Sequence, residues 1–200
     1  ASWTDPARTA TFTPGSATPD TLHGVPMKPW TNAPRSEHEW ANVPGQDSRI
    51  DDNEPFTPTE GKSIGAGVIV REPDGRIWLT TPTNSFGGYR NTFPKGTVEH
   101  GLSMQASAIK EAYEETGLQI RITGILGDYE RTTSKARFYI AERVGGTPSA
   151  MGWESQAIRL ATEQDAAKLL NMGVDKGILS DLNMEGFFDG AKGRIRKAAS

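Results

Sequence analysis

The chain contains no cysteine, which rules out disulfides and thiolate metal sites and fits a reducing compartment. No apolar run approaches the roughly 20 residues that a membrane-spanning helix needs. The N-terminal residues lack the charged-then-apolar pattern of a secretory leader, so a cytoplasmic protein is the expectation. Positive charge is not in excess either. A net charge of −3 offers no general attraction for nucleic acid or an anionic membrane. Histidine is scarce, and His23, His38 and His100 are too scattered to argue for a histidine metal site. Internal repeats are absent. What remains is 200 residues, enough for a substantial core and for one domain with an added segment, or two small ones.

Proline marks the first division. Nine of the thirteen prolines fall in residues 1–60, together with many Thr, Ser, Asn and Asp, which predicts a loop-like N-terminal extension. Residues 1–20 read as disordered on composition. Trp30 and Trp40, with Leu22, Val25, Met27 and Val43, are costly to leave in water. Residues 21–45 are therefore expected to dock, either on the body of the same subunit or on a second copy, the latter making a homodimer through the N-terminal arm. Asp47–Glu60 reads as an acidic linker.

The body runs over residues 63–190. Ile64–Arg71 and Arg76–Thr81 read as strands joined at Pro73-Asp74-Gly75, followed by a loop at Asn84–Arg90 with two adjacent glycines. Leu118–Ile122, Ile125–Arg131, Arg137–Arg143 and Gln156–Leu160 are further strand candidates. Thr162 with Asp165 three residues on resembles a capping box opening a helix to Leu170, and a last helix is expected over Asp175–Asp189. Residues 191–200 form a small basic tail. Strands around a central helix, with more helix at the end, predict an α/β sandwich.

The most informative stretch is Gly96–Leu118, a loop leading into a helix. Ser103 is placed to cap its start and Gly117 to end it in a left-handed conformation. Ile109, Ala112, Tyr113 and Thr116 recur at spacings of three and four and share one stripe. Glu111, Glu114 and Glu115 fall on the other side. Carboxylates so close repel one another, and a hard divalent cation with a preference for oxygen would convert that repulsion into binding. Glu111 and Glu115, one turn apart, are the strongest candidates for direct ligands. A solvated acidic helix face is the competing reading.

Gly96, Glu111, Glu114, Glu115, Gly117 and Leu118 stand at the offsets of the Nudix box, and Phe93-Pro94-Lys95 resembles the strand-to-loop entry before it. The chain is identified on these residues as resembling the Nudix hydrolases, whose fold is an α/β/α sandwich with a mixed sheet. Two positions depart from the pattern. Leu102 stands where the family usually has Glu, and Lys110 where it usually has Arg. The ammonium of Lys110 cannot hold a carboxylate with two parallel bonds as a guanidinium does.

The resemblance implies a Mg²⁺- or Mn²⁺-dependent pyrophosphohydrolase. Glu111, Glu114 and Glu115 would ligate metal with the main-chain carbonyl of Gly96, and Glu114 or Glu154 would serve as base. Lys95 and Arg90 before the box, and Arg137 within the basic cluster Arg131, Lys135 and Arg137, are candidates to contact phosphates. Tyr89 or Phe86 would stack on a base, and Trp153 flanks Glu154 in the same loop. The implied partner is a small nucleotide, with nucleic acid expected only as capped RNA. Thr132-Thr133-Ser134 replaces the proline that often marks ADP-ribose enzymes, and Tyr129 and Tyr139 miss the tyrosine position typical of diadenosine polyphosphate enzymes. The expectation is hydrolysis of a nucleoside diphosphate linked to another group, whether ribose, sugar or a second nucleotide. The alternatives are a nucleotide-sensing module without turnover and a diphosphoinositol polyphosphate hydrolase.

Overall fold

The structure is a computed structural model that describes residues 2–88, 90–152 and 154–189. The basic tail, Tyr89 and Trp153 lie outside the described residues, as does the side chain of Phe86. Among the described residues no helix is long and apolar enough to cross a membrane.

The central layer is a mixed four-stranded sheet, in the order β6 (Lys95–Thr97), β4 (Ser63–Val70), β8 (Ser134–Gly146) and β7 (Leu118–Glu130). β4 runs parallel to β8, with Gly67 opposite Phe138, and the other pairs are antiparallel. The alternation along β4 explains why it is apolar on both faces. Ala66, Val68 and Val70 join one core, and Ile69 joins the other. The two strands read from Leu118 to Arg131 are a single strand whose register shifts absorb the break near Gly124.

On one face lies α3 (Met104–Thr116), which buries Ile109, Ala112 and Thr116. On the other lie α4 (Glu163–Leu169) and α5 (Gly173–Asp189), whose Ala166, Ile178 and Leu182 cover Phe93, Leu126 and Phe138. This is an α/β/α arrangement. A second sheet, in the order β1 (Ala10–Phe12), β9 (Ser155–Ala161) and β5 (Ile77–Pro82), is antiparallel.

The N-terminal segment is bound to this body along its length. β1 donates an edge to β9, with Thr11 opposite Arg159, so residues read as disordered are ordered by a sheet the local composition does not reveal. Arg76, 1% exposed, donates to the carbonyls of Ser2, Arg8 and Trp3 at 2.7, 3.0 and 2.6 Å. A short hairpin pairs β2 (Thr21–Leu22) with β3 (Val25–Pro26). Trp30 and Trp40, the latter in α1 (Glu37–Ala41), enclose Tyr113 of α3 with ring centroids 5.2 and 6.0 Å away. The stretch read as an acidic linker contains α2 (Ser48–Asn53), capped by Asp47. Asp51 of α2 accepts hydrogen bonds from Gln105, Arg137 and Tyr139.

Candidate active site

The loop from β6 to α3 and the first turn of the helix form because their polar groups are satisfied locally. Ser103 Oγ accepts from the Ala106 N–H at 3.0 Å, and Gly117 closes the helix with φ +73°. The helix carries Glu111 and Glu115 one above the other toward β6. There Gly96 passes so close to Glu111 that a Cβ would collide with the carboxyl group. The Lys95 N–H donates to Glu115 Oε2 at 2.8 Å. From the loop before β9, the exposed Glu154 comes to the same place. Single oxygens of Glu111, Glu115 and Glu154 lie within 4.8 Å of one another.

Crowding these acids in a half-buried site has an electrostatic consequence. Burial, then repulsion from Glu114, Glu154 and Glu99, pushes Glu111 from 4.5 up to about 8. Burial and the charge of Glu111 hold Glu115 well above the usual carboxylate range, against the opposing pull of Lys95. Glu114 is raised too, chiefly by burial. Such a set retains protons unless a cation compensates it. Its donors are all oxygens, they converge from two elements, and Gly96 leaves room beside them, so the residues fit a hard divalent ion.

Glu114 stands apart from this set. Its carboxylate is 3.8 Å from Lys110, which donates to both oxygens of Glu99 at 2.8 and 2.7 Å. Lys110, in the position of the usual Arg, thus engages Glu99 and reaches toward Glu114. Leu102, at the other departure, is 8% exposed and packs into the core under α3.

A cleft of about 770 Å³ opens over the acids and is lined also by Lys95, Thr97, Arg131 and Ser134. Lys95 Nζ donates to Thr92 Oγ1 at 2.8 Å. Burial lowers its pKa from 10.5 to about 8, with Arg131 adding to the effect and Asp175 and Glu115 opposing it. Arg90 is exposed, its N–H bonded to Asn171, and it does not line the cleft.

Arg137 requires a correction. Only 2% of its side chain is exposed, and its guanidinium donates to both oxygens of Asp128, to Asp51 and to the Glu54 carbonyl. It ties the N-terminal segment to the sheet and does not face the cleft, so it is not placed to meet a phosphate. Successive residues of a strand face opposite sides, and Arg137 of β8 falls on the side away from Ser134 and Ala136, which line the cleft. Arg131 lines the cleft instead. Asp175, fully buried on α5, accepts from Thr92 Oγ1 at 2.7 Å and lies near both cations; no sequence signal singles it out.

The family model described as the NUDIX domain matches residues 61–182. The chain belongs to the Nudix family. An RNA pyrophosphohydrolase of Caulobacter vibrioides is 33% identical over 91 residues, 45% of this chain and 50% of that protein. An uncharacterized Nudix hydrolase of Rhodococcus erythropolis is 42% identical over 57 residues, 26% of this chain and 31% of that protein. The chain thus spans half or less of the length of these curated relatives. Solved Nudix structures share the fold. A Nudix hydrolase from Nitrosomonas europaea aligns with TM-score 0.55 at 17% identity, over 70% of this chain and 79% of that one. An ADP-ribose pyrophosphatase from Streptococcus suis aligns with TM-score 0.53 at 16% identity, over 72% and 98%.

Proposed function

We propose that this Nudix protein is a Mg²⁺- or Mn²⁺-dependent pyrophosphohydrolase that cleaves a nucleoside diphosphate linked to another group. The observation that carries this reading is the convergence of Glu111, Glu115 and Glu154 within 4.8 Å beside Gly96. In it, Glu111 and Glu115 hold the ion, with the main chain at Gly96 alongside. The ion, when bound, neutralises phosphate oxygens and makes a coordinated water a stronger nucleophile.

The remaining work falls to the chain itself. Glu154, the most exposed of the three acids, takes the proton from the attacking water. The water oxygen bonds to one phosphorus while the bridging P–O bond breaks, and the bridging oxygen leaves on the other product. Lys95, held by Thr92, offsets the charge of a phosphate in the cleft. Glu114 contributes through its field in this reading, since Lys110 engages it away from the set. The names RNA pyrophosphohydrolase, ADP-ribose pyrophosphatase and, for a further solved structure of this fold, UDP-X diphosphatase point to RNA, ADP-ribose and UDP-linked groups, so the linked group is left as any of these.

The test is a Mg²⁺- or Mn²⁺-supplemented screen of ADP-ribose, nucleotide sugars, dinucleoside polyphosphates, 5′-triphosphorylated and capped RNA, and diphosphoinositols. One or more is expected to release a monophosphate or phosphate. Glu115→Gln is expected to lower kcat by roughly 10²-fold, the scale lost with one preorganised charge-stabilising group. Full activity in that variant would refute the site assignment.

A second reading rests on Leu102, which fills an apolar place in the core where the family usually carries an acid. It makes the protein a nucleotide-binding module. Tight nucleotide binding by calorimetry, with no product from any compound on the panel, would favour it.

A further inference from the structure

We propose that Thr80 and Ser155 are positioning residues for Glu154: their buried hydroxyl pair, together with the seat of Gly152 on the end of α3, holds that acid over the cluster. The inference rests on the hydrolase reading above, in which Glu154 takes the proton from the attacking water.

Glu154 needs such a device because of where it sits. Glu111 and Glu115 are fixed by the helix that carries them, but Glu154 is an exposed side chain on a loop. Loops are more mobile than the elements they connect, and a group misplaced by about 1 Å can cost roughly 10²-fold in rate. Yet one oxygen of Glu154 lies within 4.8 Å of those of both helix acids. The main chain on either side supplies the order.

On one side the loop completes the helix. The last carbonyls of an α-helix have no partner within it. The Gly152 N–H donates to one of these in α3, the Glu114 carbonyl, at 2.7 Å. A Cβ on Gly152 would lie 2.5 Å from that oxygen, so the approach depends on a residue without one.

On the other side the loop is fastened to β5. The Thr83 N–H donates to the Glu154 carbonyl at 2.9 Å. Ser155 follows, with its Oγ 2.6 Å from Thr80 Oγ1, and both residues are buried. The pairing of β5 with β9 slips here, since Thr81 faces Ala157 while Pro82 faces Ser155. Bulges of this kind re-aim neighbouring side chains. The slip falls beside Glu154, and the hydroxyl pair spans it.

Stability alone gives little reason for the pair. Replacing two mutually satisfied buried hydroxyls by apolar groups of similar shape is nearly neutral. What a methyl group cannot supply is direction, because a hydrogen bond constrains angle as well as distance.

The experiment uses the full chain and a double variant, Thr80→Val with Ser155→Ala, which removes both hydroxyls together. Its melting temperature is expected within about 4 °C of wild type. In the metal-free protein, hydrogen exchange at the Thr83 amide, whose acceptor is Glu154, is expected to quicken about tenfold, with α3 unchanged. On a panel substrate with Mg²⁺, kcat is expected to fall about tenfold while KM stays within about twofold. Thr80→Ser, which keeps a hydroxyl, should retain kcat within about twofold.

The sharpest comparison places the double substitution in Glu154→Gln. A pair that acts through Glu154 has nothing left to position there, so kcat should change by less than about twofold. An undiminished fall in that background overturns the proposal, as does a double variant with wild-type kcat and exchange. Full activity of Glu154→Gln alone overturns both the base assignment and the positioning role, and leaves the metal site standing. If wild type cleaves nothing on the panel, the hydrolase reading fails. Exchange at Thr83 then still decides whether the pair holds Glu154, and an unchanged rate there overturns it.

Discussion

Neutralising one acid of the cluster should stabilise the metal-free protein while destroying its proposed function, and Glu111→Gln is the cleanest case. Glu111 ionises near 4.5 when unfolded and near 8 in the folded, metal-free chain. Each pKa unit is worth about 1.4 kcal/mol, so the full shift corresponds to roughly 4–5 kcal/mol. Water still reaches part of this side chain, which reduces the retained penalty to about 2–3 kcal/mol. The sign follows from linkage. Below about pH 4.5 both states are protonated and the penalty is absent. As pH rises, the unfolded chain sheds the proton that the folded chain keeps. The penalty grows until about pH 8 and is complete above it.

A glutamine has no proton to lose. The melting temperature of Glu111→Gln should therefore match wild type near the acid end and exceed it by about 4–12 °C at the alkaline end. Differential scanning calorimetry in chelator measures this directly. Adding Mg²⁺ should raise wild type toward the variant and leave the variant unmoved. A variant less stable than wild type at every pH, or a difference independent of pH, would refute the electrostatic account of the cluster.

Other expectations follow from the way the N-terminal segment is held. Trp40→Ala empties a site that is 7% exposed between Trp30 and Tyr113, and should cost about 3–5 kcal/mol in urea denaturation. A loss under about 1 kcal/mol would mean that the arm does not brace α3. Asp51→Ala strips Arg137 and Tyr139 of a shared acceptor and should cost about 2–3 kcal/mol, with Asp51→Asn milder. Gly117→Ala puts a Cβ at φ +73° against the Thr147 carbonyl and should cost about 1–3 kcal/mol, and an unchanged midpoint would contradict the helix stop. Because Trp30 and Trp40 pack on Tyr113 of their own chain, light scattering should give the mass of a single chain, and twice that mass would restore an arm-mediated dimer.

Local chemistry made part of the molecule readable from the sequence. A serine cap, a left-handed glycine and a 3.6-residue period act within a few residues, so the α3 boundaries and the shared side of Glu111 and Glu115 follow from order alone. The same holds for Thr162, whose side chain accepts from the Asp165 N–H at the start of α4. Gly96 and the glutamates sit at fixed offsets, and the NUDIX domain match covers that stretch.

What lay beyond reach depends on elements distant in sequence. Glu154 meets Glu111 because the loop before β9 comes to the side of α3 that carries the acids, and Arg137 turns from the cleft because it alternates with Ser134 and Ala136 on β8, while Arg131 reaches the cleft from the turn between β7 and β8. Asp175 enters the site region only because α5 packs on the far face of the sheet, and the prolines of the arm hide a chain anchored by Arg76, Asp51 and the rings of Trp30, Trp40 and Tyr113, two of whose pairs meet edge to face. Short-range hydrogen bonds and periodicity are written residue by residue. Convergence of charges across a folded sheet is a property of the packing, and only the tertiary structure decides it.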